Sequence, residues 1–178
     1  MRRLPRALLL SLALGCRTRD TAPPHASASA PNAPNAPKVP NAAPAPLGDA
    51  DFVVGRLKEG LDTAAVRRAL GAPDSVSVED NPYDPGGKLF DWRYHDLTVG
   101  VADEGVYGMT LTGPGVATAR GLRVGDPADR VRALYGPPAA SGDDWEYADP
   151  RDQGGMHVVR VVIAGGRVAH IFVGSVLD

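Results

Sequence analysis

Four histidines, one cysteine and a run of carboxylates are the residues of this 178-residue chain that could do chemistry. His25 lies in a proline-rich stretch and His95 stands beside Asp96; each reads as a solvated polar residue. His157 and His170 flank Gly165 and Gly166. If those glycines form a two-residue turn, Ala164 pairs with Arg167, Val161 with His170 and His157 with Gly174. The two imidazoles then share a face roughly 13 Å apart at the usual strand rise, too far to hold one metal ion. "SGDDWEYADPRD" gathers Asp143, Asp144, Glu146, Asp149 and Asp152. Paired carboxylates can exchange protons with a substrate, but the spacing of a calcium loop is missing, and the stretch reads as a solvated loop beside an edge strand. Ser75, Ser77, Ser141 and Ser175 stand outside any G-x-S-x-G elbow. "ARGLRVGD" lacks the lysine of a phosphate loop. The expectation is a non-enzyme with no metal and no cofactor.

Surfaces then carry the functional argument. In "FDWRY", Phe90, Trp92 and Tyr94 alternate onto one face of a strand while Asp91 and Arg93 take the other. Trp145 and Tyr147 repeat the alternation later. Such a row either packs beneath helices or forms a platform on a helix-free face, where Trp and Tyr anchor protein partners. Tyr83, between turn-forming residues of the loop "EDNPYDPGGKL" (79–89), is the other candidate contact. Nucleic acid is a poor partner: residues 49–178 hold 13 Lys/Arg against 20 Asp/Glu, a balance of −7.

The basic residues gather at the start of the chain instead. "MRRLPR" and the apolar run "ALLLSLALG" precede Cys16, and the run is far short of the ~20 residues that span a bilayer. Residues 1–15 therefore read as an export signal. "ALGC" resembles the bacterial lipobox, in which cleavage leaves the cysteine as a lipid-bearing first residue. The resemblance implies lipidation at Cys16, attachment to a membrane through that lipid, and, from Arg17 next to it, the outer membrane facing the periplasm. Residues 17–48 contain eight prolines and no apolar period, so 16–48 read as the lipidated cysteine and a disordered tether. Such a tether would reach about 100 Å as polyproline II and average about 30 Å as a coil.

The elements that must position the aromatics come in two copies. Gly60, Val66, Gly71 and Pro73 recur as Gly125, Val131, Gly136 and Pro138 with identical spacing. Each copy predicts a short amphipathic helix ended by glycine, the second capped by Asp126 ahead of Pro127. Three strands are expected after each helix, joined at "ADEG" and "AGG". The expected fold is α+β: two tandem helix-plus-three-strand repeats, 49–115 and 116–178, forming an antiparallel sheet with helices packed on one face. The pattern Gly, Val, Gly-x-Pro, then an aromatic strand and a turn, is similar to the SmpA/OmlA (BamE-like) small outer-membrane lipoproteins, components of the machinery that inserts outer-membrane β-barrels. The doubling looks like the β-lactamase inhibitory protein. The resemblance implies a cell-envelope lipoprotein that binds another, unidentified envelope protein without catalysis. A periplasmic small-ligand binder or an enzyme with an acidic/His pocket is the competing class.

Overall fold

The computed structural model describes residues 43–140, 142–154 and 156–176. The expected export signal, Cys16 and the expected tether up to residue 42 lie outside the described residues. A 3₁₀ turn, Asp49–Phe52, leads into the two-residue strands β1 (Val53–Val54) and β2 (Leu57–Lys58). Helix α1 (Thr63–Leu70) precedes β3 (Ser75–Asp80), β4 (Lys88–Tyr94), β5 (Leu97–Ala102) and β6 (Gly105–Leu111). Helix α2 (Ala128–Tyr135) precedes β7 (Asp144–Ala148), β8 (His157–Ala164) and β9 (Arg167–Ser175). One antiparallel sheet holds seven of these strands in the order β3-β4-β5-β6-β9-β8-β7. Among the described residues no helix is long and apolar enough to cross a membrane.

This overturns the expected α+β class. The described residues are mainly β, a seven-stranded and a two-stranded sheet with only two eight-residue helices, and the helix-plus-three-strand unit is not the building block. The first half contributes four strands to the sheet, because "SVSVED" forms β3, for which no strand was expected. The alternation of valine with polar residues suits a pleated edge, and a strand that exposes both faces gives little hydrophobic signal of its own.

Period-two alternation builds the core. The Cα register runs Trp92–Val99–Met109–Val173–Val159–Tyr147 straight across six strands, and beside it Tyr94–Leu97–Leu111–Ile171–Val161–Trp145. Their parity shares one face of the sheet. Val66 of α1 and Val131 of α2 are completely buried in the same apolar cluster. Gly71 and Gly136 end the helices at φ 84° and 92°, where a side chain would be strained. Their N–H groups donate to the carbonyls of Arg67 and Arg132.

Two local expectations also change. Asp62 caps α1 by accepting from Ala65 N at 2.6 Å, but Asp126 does not cap α2. Its carboxylate accepts from Arg123 N at 2.9 Å, and Pro127 takes the N-cap position without a side-chain bond. In the β8–β9 hairpin Ala164 does face Arg167, yet Ile163 faces Val168 and Val162 faces His170. A bulge at Ala169 has inserted one residue, which flips parity. His157 therefore stands opposite Ser175, and His170 falls on the other face with Val162.

The chain is already held at residues 46–47. Leu47 is buried in the core. Arg120 forks onto Asp51 (Nε to Oδ1 2.7 Å, Nη2 to Oδ2 2.9 Å) and donates to the carbonyls of Pro46 and Leu134, both at 2.9 Å.

Candidate functional site

Where the aromatics fall is decided by strand parity. Trp92 and Trp145 are 6% and 4% exposed. Each indole lies under a helix arginine, the guanidinium carbon of Arg67 being 4.8 Å from the Trp92 ring and that of Arg132 4.4 Å from the Trp145 ring. Tyr94 and Tyr147, half-buried, send their hydroxyls to the carbonyls of the helix-ending glycines, Gly71 at 3.4 Å and Gly136 at 3.1 Å. These four residues seat the helices and do not form a platform on the helix-free face. Tyr83 differs: it is 56% exposed, in a loop shaped by Asn81, whose Oδ1 accepts from Tyr83 N at 3.0 Å.

The helix-free face carries a different aromatic pair, Tyr107 and Phe172. They lie on a row of glycines, Gly100 facing Gly108 across β5–β6 and Gly108 facing Gly174 across β6–β9. A Cβ at Gly100 would stand 2.5 Å from the Tyr107 ring, and one at Gly108 would stand 2.5 Å from the Phe172 ring. At Gly174 a Cβ would come within 2.5 Å of backbone atoms of Tyr107 and Gly108, and φ there is +150°. The glycines thus let two rings lie flat against the backbone, as in the aromatic rescue of strand glycines. A depression of about 410 Å³ opens over them, lined by Tyr83, Leu89, Tyr107, Arg160, Phe172, Ser175 and Val176. A smaller one of about 170 Å³ shares Leu89 and Tyr107 and adds Ser77, Glu79 and Asp91. Burial pushes the Tyr107 hydroxyl pKa up, with Asp91 and Glu79 adding to it, so the phenol stays neutral and keeps its proton to donate. Arg160 rims the groove, bound to Glu146 through Nε at 3.1 Å and Nη2 at 2.6 Å.

Tyr107 and Phe172 were missed in the sequence because each sits alone among valines and glycines. The usable signal was the glycines inside otherwise β-forming strands, which mark a close approach.

The acidic stretch and the histidines resolve into a clasp at one end of β8. His157 Nδ1 is 2.9 Å from Asp152 Oδ2, its Nε2 is 3.0 Å from Glu59 Oε2, and its backbone N–H donates to Asp152 Oδ2 at 2.8 Å. Ser175 donates to Glu59 Oε1 at 3.0 Å, and Phe52 meets the imidazole edge-on at 5.7 Å. The hydrogen bond that its ring donates to Asp152 raises the His157 pKa, and the His157 donors lower the Asp152 pKa to about 2. Both ring nitrogens are occupied, which leaves neither to take a proton from a substrate. Asp149 is bound by Arg151, and Asp144 and Glu146 face Arg160. His95 and His170 are exposed. Among the described residues no group of three His, Cys, Asp or Glu side chains is placed to hold a metal ion.

No protein-family model and no curated protein sequence matches the chain. Among solved structures it is similar to an extracellular protein containing a SCP domain from Bacillus anthracis str. Ames, at 13% identity and a TM-score of 0.44. That match covers 65% of this chain, which spans 43% of the length of that protein. It is also similar to the uncharacterized protein yfeY from Escherichia coli, at 13% identity and a TM-score of 0.47, covering 70% of this chain and 97% of that one.

Proposed function

We propose that this chain is a lipid-anchored cell-envelope protein, attached through Cys16, whose β domain binds another envelope protein through the helix-free face and catalyses nothing. The observation that carries the reading is the groove of about 410 Å³ floored by Tyr107 and Phe172, with exposed Tyr83 and half-buried Arg160 at its rim. Tyrosine, phenylalanine and arginine are the types enriched in protein interfaces. The glycine row supports it by seating the Tyr107 and Phe172 rings on the helix-free face, where they form the groove's floor. The His157 clasp favours a non-catalytic role because its imidazole is fully engaged with Asp152 and Glu59. A tether ending near residue 46 would let the domain reach partners some tens of Å from the membrane.

Crosslinked pull-downs from native envelopes test this reading. A folded Tyr83→Ser/Phe172→Ser variant is expected to lose the partner captured by wild type. Capture of the same partner by that folded variant would refute it. The groove's volume also falls in the range of small-ligand pockets. That second reading predicts a compound bound to the purified wild type and absent from the same variant.

A further inference from the structure

Strand β3 ends the seven-stranded sheet, so among the described residues one side of its backbone has no strand neighbour. Natural sheets guard such edges with lysine, proline, bulges or short length. β3 has six residues, Ser75–Asp80, none of them lysine or proline, and pairs with β4 without a break in register. Its side chains differ by face. Val76 and Val78 are 50% and 56% exposed and stand opposite Trp92 and Phe90, beside a depression of about 230 Å³ lined by Phe90, Trp92 and Val101. On the other face Ser77 and Glu79, with Asp91 of β4, line the depression of about 170 Å³. Glu79 has no cation within ion-pair distance among the described residues, and Asp91 has only Arg93 at 3.6 Å. The opposite edge, β7, is unlike this: Trp145 is buried and Tyr147 is tied to Gly136.

From this edge we infer that β3 accepts an extended segment of a partner protein as an eighth strand, one that alternates basic and β-branched apolar residues. Apolar side chains of the segment would continue the Val76–Val78 row, and basic ones on the other parity would meet Glu79 and Asp91. Main-chain bonds to the free edge supply affinity, and the two-faced chemistry supplies selection. A second copy of this chain fits less well. Antiparallel pairing that sets Val76 against Val78 of the copy also sets Asp80 against Asp74, and like charges directly opposite destabilise. The inference goes beyond the groove reading and stands on separate residues.

The test uses the purified full chain and three blocked hexapeptides. One alternates lysine and valine, one alternates glutamate and valine, and one has three lysines followed by three valines. Binding is read by fluorescence anisotropy, and its place by amide hydrogen exchange. The alternating lysine–valine peptide is expected to bind at least ten-fold tighter than the other two and to slow exchange in β3. Val76→Thr/Val78→Thr, at exposed positions, should weaken it at least five-fold, and Glu79→Lys should shift preference toward the glutamate–valine peptide. The Tyr83→Ser/Phe172→Ser variant should bind it as wild type does, so loss of the groove and loss of the edge are read apart. Equal binding of the block peptide, protection outside β3, or undiminished binding by the valine variant would each overturn the inference.

Discussion

A neutral imidazole carries one N–H, yet both ring nitrogens of His157 face carboxylates, so the geometry requires the imidazolium. The folded His157 pKa is raised above 6.5. The stability it contributes is therefore complete below pH 6.5 and is lost as pH rises through the raised value. Asp152 runs the other way: with its pKa lowered from 3.8 to about 2, its contribution is present above 3.8 and is lost as pH falls through about 2. Thermal unfolding followed across pH should show wild type losing stability above neutrality, while His157→Gln shows a flatter profile there. Identical profiles would remove the clasp from the account. Arg120 and Asp51 make the other demanding residue-scale contact, with side chains only 16% and 12% exposed. Burial would raise the Asp51 pKa, but the hydrogen bonds from Arg120 and Gly48 outweigh it and the pKa falls. Removing one partner of a largely buried pair costs about 3 kcal/mol. Denaturant melts of Arg120→Ala should show a loss of that size, and Arg120→Lys should recover only part of it, because an ammonium cannot copy the fork. Neither contact was legible in the sequence: Arg120 and Asp51 are 69 residues apart, and Glu59 meets His157 only after the sheet has closed.

Elements were more legible than contacts, and parity was the point of failure. The helices ending at Gly71 and Gly136 follow from local chemistry and stand where the spacing put them. Alternation in "FDWRY" also holds, with Trp92 and Asp91 on opposite faces. Which face meets the helices is a tertiary fact, and it sent the tryptophans inward. One extra residue at Ala169 likewise moved His170 to the other face. The glycine row tests how the sheet makes its groove. A methyl at Gly100 meets the far end of the Tyr107 ring, which can swing aside, whereas one at Gly174 meets backbone at a φ of +150°. Gly100→Ala should thus leave the melting temperature nearly unchanged while abolishing partner capture. Gly174→Ala should cost more, about 1–3 kcal/mol from overpacking with backbone strain added. The reverse order in calorimetry would contradict this view of the floor.

At the scale of the molecule, a mainly β domain offers two surfaces on one sheet, a groove on the helix-free face and an open edge at β3. The tandem helix-plus-strand scheme was misleading here because it counted recurring motifs around two short helices and overlooked the strand between them. If the lipid on Cys16 anchors the chain, Cys16→Ser should move it from the membrane to the soluble fraction with its melting curve intact. Unchanged fractionation would detach the envelope reading from that cysteine. The most direct measurement concerns the groove itself. A photo-reactive phenylalanine analogue is placed at Tyr83, or for comparison at exposed Arg68 on α1, in the full chain within native envelopes. Irradiation should give one discrete adduct from position 83, lost when Gly100→Ala is added, and none from position 68. Adducts formed equally from both positions, or an adduct at 83 indifferent to Gly100→Ala, would contradict the assignment of the helix-free face as the binding surface.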